Sequence, residues 1–191
     1  LSMGFLVDPQ QAIIWRGTMA GRALQQFFSD ADWGELDYLL IDLPPGTGDI
    51  HLTLVQTVPV TGAIIVTAPQ KVALADATKG LAMFRQPQIN VPVLGVIENM
   101  SYFTPAELPD HQYYIFGKGG GQHLANQFSV PLLGQIPLVQ GIREAGDEGR
   151  PAISVGEPIA SEAFRSAAEA LAQQVAIRNA SLDRTERVQV A

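Results

Sequence analysis

Apolar runs of strand length alternate along this chain with stretches whose apolar residues recur at helical spacing. Residues 38–43 predict a strand ending in Asp42-Leu43, and residues 62–69, 91–98 and 131–136 predict further strands. Their near-continuous apolar character is that of strands covered on both faces. Residues 18–28 set Met19, Ala23, Leu24 and Phe27 along one face, and Leu74, Ala77, Leu81 and Phe84 do the same within residues 70–85. Residues 122–128 predict a short helix, and Pro158 opens a long one to residue 178 with Ala160, Phe164, Ala168, Leu171 and Val175 in register. Strands alternating with helices predict an α/β fold, a mostly parallel sheet with helices on both faces. Residues 101–114 carry two prolines and several aromatics without a period, and are expected to form an ordered excursion. The polar tail 179–191 is expected to fray. With no internal repeat or linker, residues 1–178 are expected to form a single domain.

Composition narrows the function classes. At 191 residues and 47% hydrophobic, the chain has material for one well-buried domain. A net charge of −7, with 12 Lys and Arg spread thinly, argues against nucleic acid as a direct partner. No apolar run approaches 18 residues and no charged-then-apolar leader follows Leu1, so a cytoplasmic location without membrane association is expected. Cysteine is absent, so no disulfide and no thiolate ligand comes from these residues. The first residue is Leu1, and patterned sequence follows at once, as expected of a portion of a longer protein.

The densest chemistry lies in Asp42-Leu43-Pro44-Pro45-Gly46-Thr47-Gly48-Asp49. A carboxylate at the C-terminal end of a parallel strand stands where open α/β sheets bind ligands. Gly46 and Gly48 let the backbone approach a phosphate, whose oxygens the loop N–H groups can bond, and Pro44-Pro45 stiffens the turn. An Asp that caps a following helix is the plainer alternative. Asn99, ending the strand 91–98, offers an amide that can read a purine edge, or simply occupies a turn. Gly117-Lys118-Gly119-Gly120-Gly121 lacks the Gly-Lys-Ser/Thr ending of a phosphate-binding loop, and no G-x-x-x-x-G-K-[ST] occurs in the sequence. It reads as a turn entering a helix. Arg16 could reach a phosphate or be a solvated charge. His51, His111 and His123 lack ligand spacing, so neither metal ligation nor nucleophilic catalysis is assigned to them.

These stretches resemble the Mrp-type ATPases of iron–sulfur cluster assembly, relatives of ParA and MinD. The likeness rests on Ile14–Gly17, Trp33–Tyr38, Ile41–Asp49, Val96–Ser101, Ile115–Gly117, Pro131–Pro137 and Ile142–Asp147, and it covers residues 1–153. The resemblance implies an ATP- and Mg-dependent, homodimeric carrier that holds an iron–sulfur cluster between subunits and passes it to apo iron–sulfur proteins. It implies that Asp42 is the acid holding Mg²⁺ through water, that Pro44, Gly46, Thr47, Gly48 and Asp49 belong to the switch loop, that Asn99 reads adenine, and that Pro137 lies near its ring. The family's phosphate-binding loop, with its strand beside residues 38–43, would lie upstream of Leu1. Where many relatives carry Cys-x-x-Cys, this chain has Thr104-Pro105-Ala106-Glu107-Leu108-Pro109, so no cluster ligand is assigned here. A non-catalytic dimerisation or partner-binding module, using residues 101–114 and 70–85, is the alternative. A membrane-positioning ATPase fits less well, because the helix after Pro158 has few basic residues.

Overall fold

The computed structural model describes residues 1–5, 17–105, 107–108, 110–154 and 158–189. Two compact units emerge, Leu1–Pro59 with Glu186–Ala191, and Val60–Thr185.

In the first unit, α1 (Gly17–Ser29) packs on α2 (Asp49–Thr57). The line of Ala23 and Leu24 meets this expectation by being buried, together with Leu54 and Val55 of α2, whereas Met19 is half exposed. Gly21 lets the two helices approach, since a Cβ there would lie 3.3 Å from Thr53 Oγ1. The Trp33 indole donates to the Phe27 carbonyl at 3.0 Å and so anchors the chain leaving α1. Val188 of the tail donates its N–H to the Val55 carbonyl at 2.9 Å, so the polar tail is tied at this point.

The strand expected at 38–43 does not form. These residues run without regular structure, and Tyr38, Leu39 and Leu40 are 59%, 41% and 77% exposed. Among the described residues, no backbone hydrogen bond reaches this segment from another strand. A strand is made by its neighbours; an apolar run without a backbone alongside has nowhere to place its N–H and C=O groups except water.

The second unit holds the sheet. Strands β1 (Ala63–Thr67), β2 (Val93–Glu98) and β3 (Leu132–Gln135) lie in that order, all parallel, with Thr67 beside Glu98 and Glu98 beside Gln135. Helices α3 (Lys71–Phe84) and α4 (Gly120–Phe128) pack on one another and against the sheet. Leu81, Met83 and Phe84 of α3 are buried, as are Leu124 and Ala125 of α4, with Val96 at the centre. Arg85 fastens the far ends of these helices by donating to the Phe128 carbonyl at 2.6 Å while lying over the Phe128 ring.

The opposite face is covered by α6 (Pro158–Ser181), after α5 (Gln140–Asp147) and a short 3-10 turn at Ala152–Ser154. The apolar stripe expected on α6 is rotated. Ala160 and Ala167 are the buried residues, while Phe164 is 37% exposed and Ala168 faces solvent. The cause is Gly134: a Cβ built there would sit 2.8 Å from the Ala167 Cβ, so helix and strand meet nearly backbone to backbone and only small side chains fit. Among the described residues, no helix is long and apolar enough to cross a membrane.

Candidate functional site

The loop that follows residues 38–43 is open to solvent throughout. Asp42, Pro44, Gly46, Thr47, Gly48 and Asp49 are all exposed. The chain bends through residues 45–47, where Gly46 adopts φ +100°, a conformation that a side chain resists. A Cβ at Gly46 would meet nothing within 4 Å, so the backbone angle rather than crowding calls for glycine. Gly48 is extended and caps α2, and His51 N–H donates to its carbonyl at 3.1 Å. The first turn of α2 therefore opens directly from the loop, and helix N-termini carry N–H groups without intrahelical partners and a partial positive charge. Asp49, the first helical residue, complements that charge. His51 is 5% exposed, and its Nδ1 finds no partner among the described residues.

In the other unit, Asn99 stands exposed at the C-terminal end of β2. Its N–H donates to the Thr67 carbonyl at 2.7 Å, and its Oδ1 accepts the Met100 N–H at 2.9 Å. Met100 is in the left-handed region at φ +52°, which turns the chain sharply into the excursion. With its oxygen taken by the turn, the Asn99 amide offers its NH₂ outward. Pro137 lies inside the unit, its side chain under 2% exposed, so its ring presents no open surface there.

Beneath Asn99 is a carboxylate that strand reasoning passed over. Glu98 is wholly buried, and no Lys, Arg or His pairs with it among the described residues. Its Oε1 accepts from the Ser101 hydroxyl and, at 2.8 Å, from Gln135 Nε2; its Oε2 accepts from the Gly121 N–H in the first turn of α4. Gln135 Nε2 also reaches Ser101 Oγ at 2.9 Å. The sequence shows only an acid closing an apolar strand; its partners at Gly121 and Gln135 lie 23 and 37 positions further on. The glycines serve this packing, since a Cβ on Gly121 would lie 2.8 Å from the Glu98 Cβ and one on Gly120 would lie 2.6 Å from the Pro69 carbonyl. The run 117–121 enters a helix, as expected, with α4 beginning after Gly119 in the left-handed conformation.

The excursion is ordered by pairing. Phe103 and Tyr113 exchange backbone hydrogen bonds at 2.8 and 2.9 Å, their rings 6.5 Å apart, and the Leu138 N–H donates to the Tyr102 carbonyl at 2.7 Å. Lys118 Nζ sits 4.5 Å from the centre of the Tyr114 ring. Between the excursion, the end of β3 and α6 lies an open groove of about 440 Å³, lined in part by Tyr102, Tyr114, Gln135 and Glu162. Arg16, Ala106 and Pro109 lie outside the described residues.

A magnesium ion of nucleotide chemistry keeps most of its water and asks for one or two carboxylates beside phosphate oxygens. The exposed Asp42 is a carboxylate of the kind that demand calls for, and among the described residues no group of three or more His, Asp or Glu forms a closed metal cage.

A parallel sheet covered by helices is the architecture of P-loop NTPases, and solved members of that class superimpose on it. A nucleotide-binding protein from Archaeoglobus fulgidus in complex with ADP matches with TM-score 0.61 at 38% identity, covering 71% of this chain and 54% of that one. MinD from Pyrococcus horikoshii, complexed with Mg-ADP, matches with TM-score 0.58 at 23% identity, covering 87% and 63%, and speaks for the fold alone. The chain belongs to the ParA family of NUBPL-type iron-transfer P-loop NTPases, whose description matches residues 1–176. The iron-sulfur cluster carrier proteins of Synechocystis sp. and Deinococcus radiodurans are 53% and 52% identical to it, over 92% and 95% of this chain. The chain spans about half the length of these relatives, 48% and 51%.

Proposed function

We propose that these residues are the switch-loop and base-reading portion of an ATP-dependent iron–sulfur cluster carrier. The observation that carries the reading is the exposed Asp42–Asp49 segment, with Gly46 held at positive φ and α2 opening from the loop. The loop backbone and the α2 N-terminus bond the terminal phosphate, so the loop takes one position with ATP and another with ADP. Asp42 orients the water shell of Mg²⁺, which when bound neutralises charge developing between the outer phosphates. Asn99 donates its NH₂ to the adenine edge, and Pro137 supports this region from within rather than by stacking. Because no G-x-x-x-x-G-K-[ST] occurs among these 191 residues, the cradle for the phosphates comes from elsewhere in the working protein. The cluster is the cargo. Its thiolate ligands likewise come from outside this cysteine-free sequence, and the working carrier is a homodimer that delivers to apo iron–sulfur clients.

Phosphate release by the intact carrier tests this. Asp42→Ala is expected to lower kcat about a hundredfold or more. Turnover equal to wild type in that variant would sink the hydrolytic reading. A second reading, an interaction module, draws support from the exposed apolar residues gathered on and after the excursion, Leu108, Tyr113, Tyr114 and Ile115.

A further inference from the structure

Glu98 does something that neither a core residue nor a surface acid does. A carboxylate removed from water needs every acceptor site answered, because the interior gives back no hydration. Here the answers come from neutral groups on three separate pieces of the unit: Ser101 at the root of the excursion, Gly121 at the start of α4, and Gln135 at the end of β3. The backbone of the same residue is also committed, for its carbonyl accepts the Ile136 N–H at 2.8 Å, while Ser101 N–H donates to the Ile136 carbonyl at 2.9 Å. Between these two fixed points lie only Asn99 and Met100, and Met100 already holds a left-handed angle. The turn has little slack. A displacement of Asn99 therefore passes to Ser101 and on to the Tyr102–Leu138 and Phe103–Tyr113 bonds that shape the excursion.

We infer that Glu98 is a positioning residue that couples occupancy at Asn99 to the Phe103–Tyr113 and Tyr102–Leu138 pairings of the excursion. The inference rests on the nucleotide reading of Asn99 given above. ADP at Asn99 holds the Asn99–Met100 turn and, through Ser101, makes the Phe103–Tyr113 pairing open less often. The groove shares Gln135 with the carboxylate, so its floor belongs to the same connected network.

Hydrogen exchange on the intact carrier, with and without saturating ADP, tests the coupling. In wild type, ADP is expected to slow exchange of the Phe103 and Tyr113 amides at least tenfold. Glu98→Gln replaces an acceptor with a donor facing other donors, and there the ADP-dependent slowing is expected to fall below threefold. Should Glu98→Gln fail to fold, Gln135→Ala removes one donor from the strand edge and is expected to reduce the slowing at least threefold. Equal slowing in wild type and in both variants overturns the proposal. So does a wild type in which ADP protects Asn99 and Met100 but leaves Phe103 and Tyr113 unchanged. If ADP protects neither residues 44–49 nor Asn99 in wild type, the nucleotide reading itself fails and the coupling falls with it. That outcome remains distinguishable, because Glu98→Gln would still speed Phe103 and Tyr113 exchange in the absence of nucleotide.

Discussion

Gly134 sets how closely α6 approaches the sheet, and the consequence can be measured. Its missing Cβ leaves the Ala167 Cβ and Cα within 2.8 and 3.3 Å of where a methyl would stand, and neither of those atoms can swing aside. Gly134→Ala is therefore expected to destabilise the protein by about 1–3 kcal/mol, as forced overpacking does, read from the midpoint of urea unfolding. An unchanged midpoint would mean that α6 is free to retreat. Sequence alone gave this helix and its register only roughly. Phe164 was the largest apolar residue on the stripe and drew the expected face toward itself, yet the strand beneath selects for smallness: Ala160 is buried as expected, and Ala167 rather than Phe164 or Ala168 turns inward with it. Glu98 was hidden for the converse reason. Pattern reading takes a charged residue as an end of burial, and nothing local reveals that Gly121 and Gln135 will come to meet it.

At the scale of elements, the sheet was the most legible part. Three of four expected strands form, because 62–69, 91–98 and 131–136 find one another as neighbours. Residues 38–43 carry an equally apolar pattern and stay unpaired to any strand among the described residues. Pattern states what a segment could bury; pairing decides whether it does. Amides of residues 38–43 are expected to exchange near the unstructured rate, and those of Val96 and Ile97 several orders of magnitude more slowly. Comparable protection of the two would show that 38–43 is paired in solution. Helix α2 was missed because Ile50, Leu52, Leu54 and Val55 alternate and branch as in a strand, and only Asp49 at its first turn hints otherwise. Of the candidate site, the place of Asn99 at the end of a strand was legible, whereas Asp42, expected at the end of another, stands in a segment that finds no strand neighbour among the described residues. The buried position of Pro137 was not legible, since the resemblance placed it only near the adenine ring and nothing local shows that it packs inside the unit.

The whole chain falls into two compact units, with the loop residues 42–49 in one and Asn99 in the other. It is acidic, at net −7, and its exposed apolar surface includes Tyr113 at 47% and Ile115 at 60%. Scattered exposed apolar residues need no explanation; several gathered in a short segment are what the interaction-module reading proposed above would use. Ile115→Asp is expected to weaken self-association or client association of the intact carrier at least about tenfold, equivalent to about 1.4 kcal/mol, while the melting temperature stays within a few degrees. Sedimentation of wild type and variant side by side checks this, and identical association would remove the excursion from the interface.

The donors to Glu98 lie 3, 23 and 37 positions further along the chain. A ribosome releases the N-terminal end first, so the acid is made well before the groups that let it leave water. Until Gln135 has emerged, β2 can collapse only provisionally, with a hydrated charge where the interior should close. A product cut or stalled between residues 121 and 135 would thus present quality control with a carboxylate still lacking one of its three answering donors.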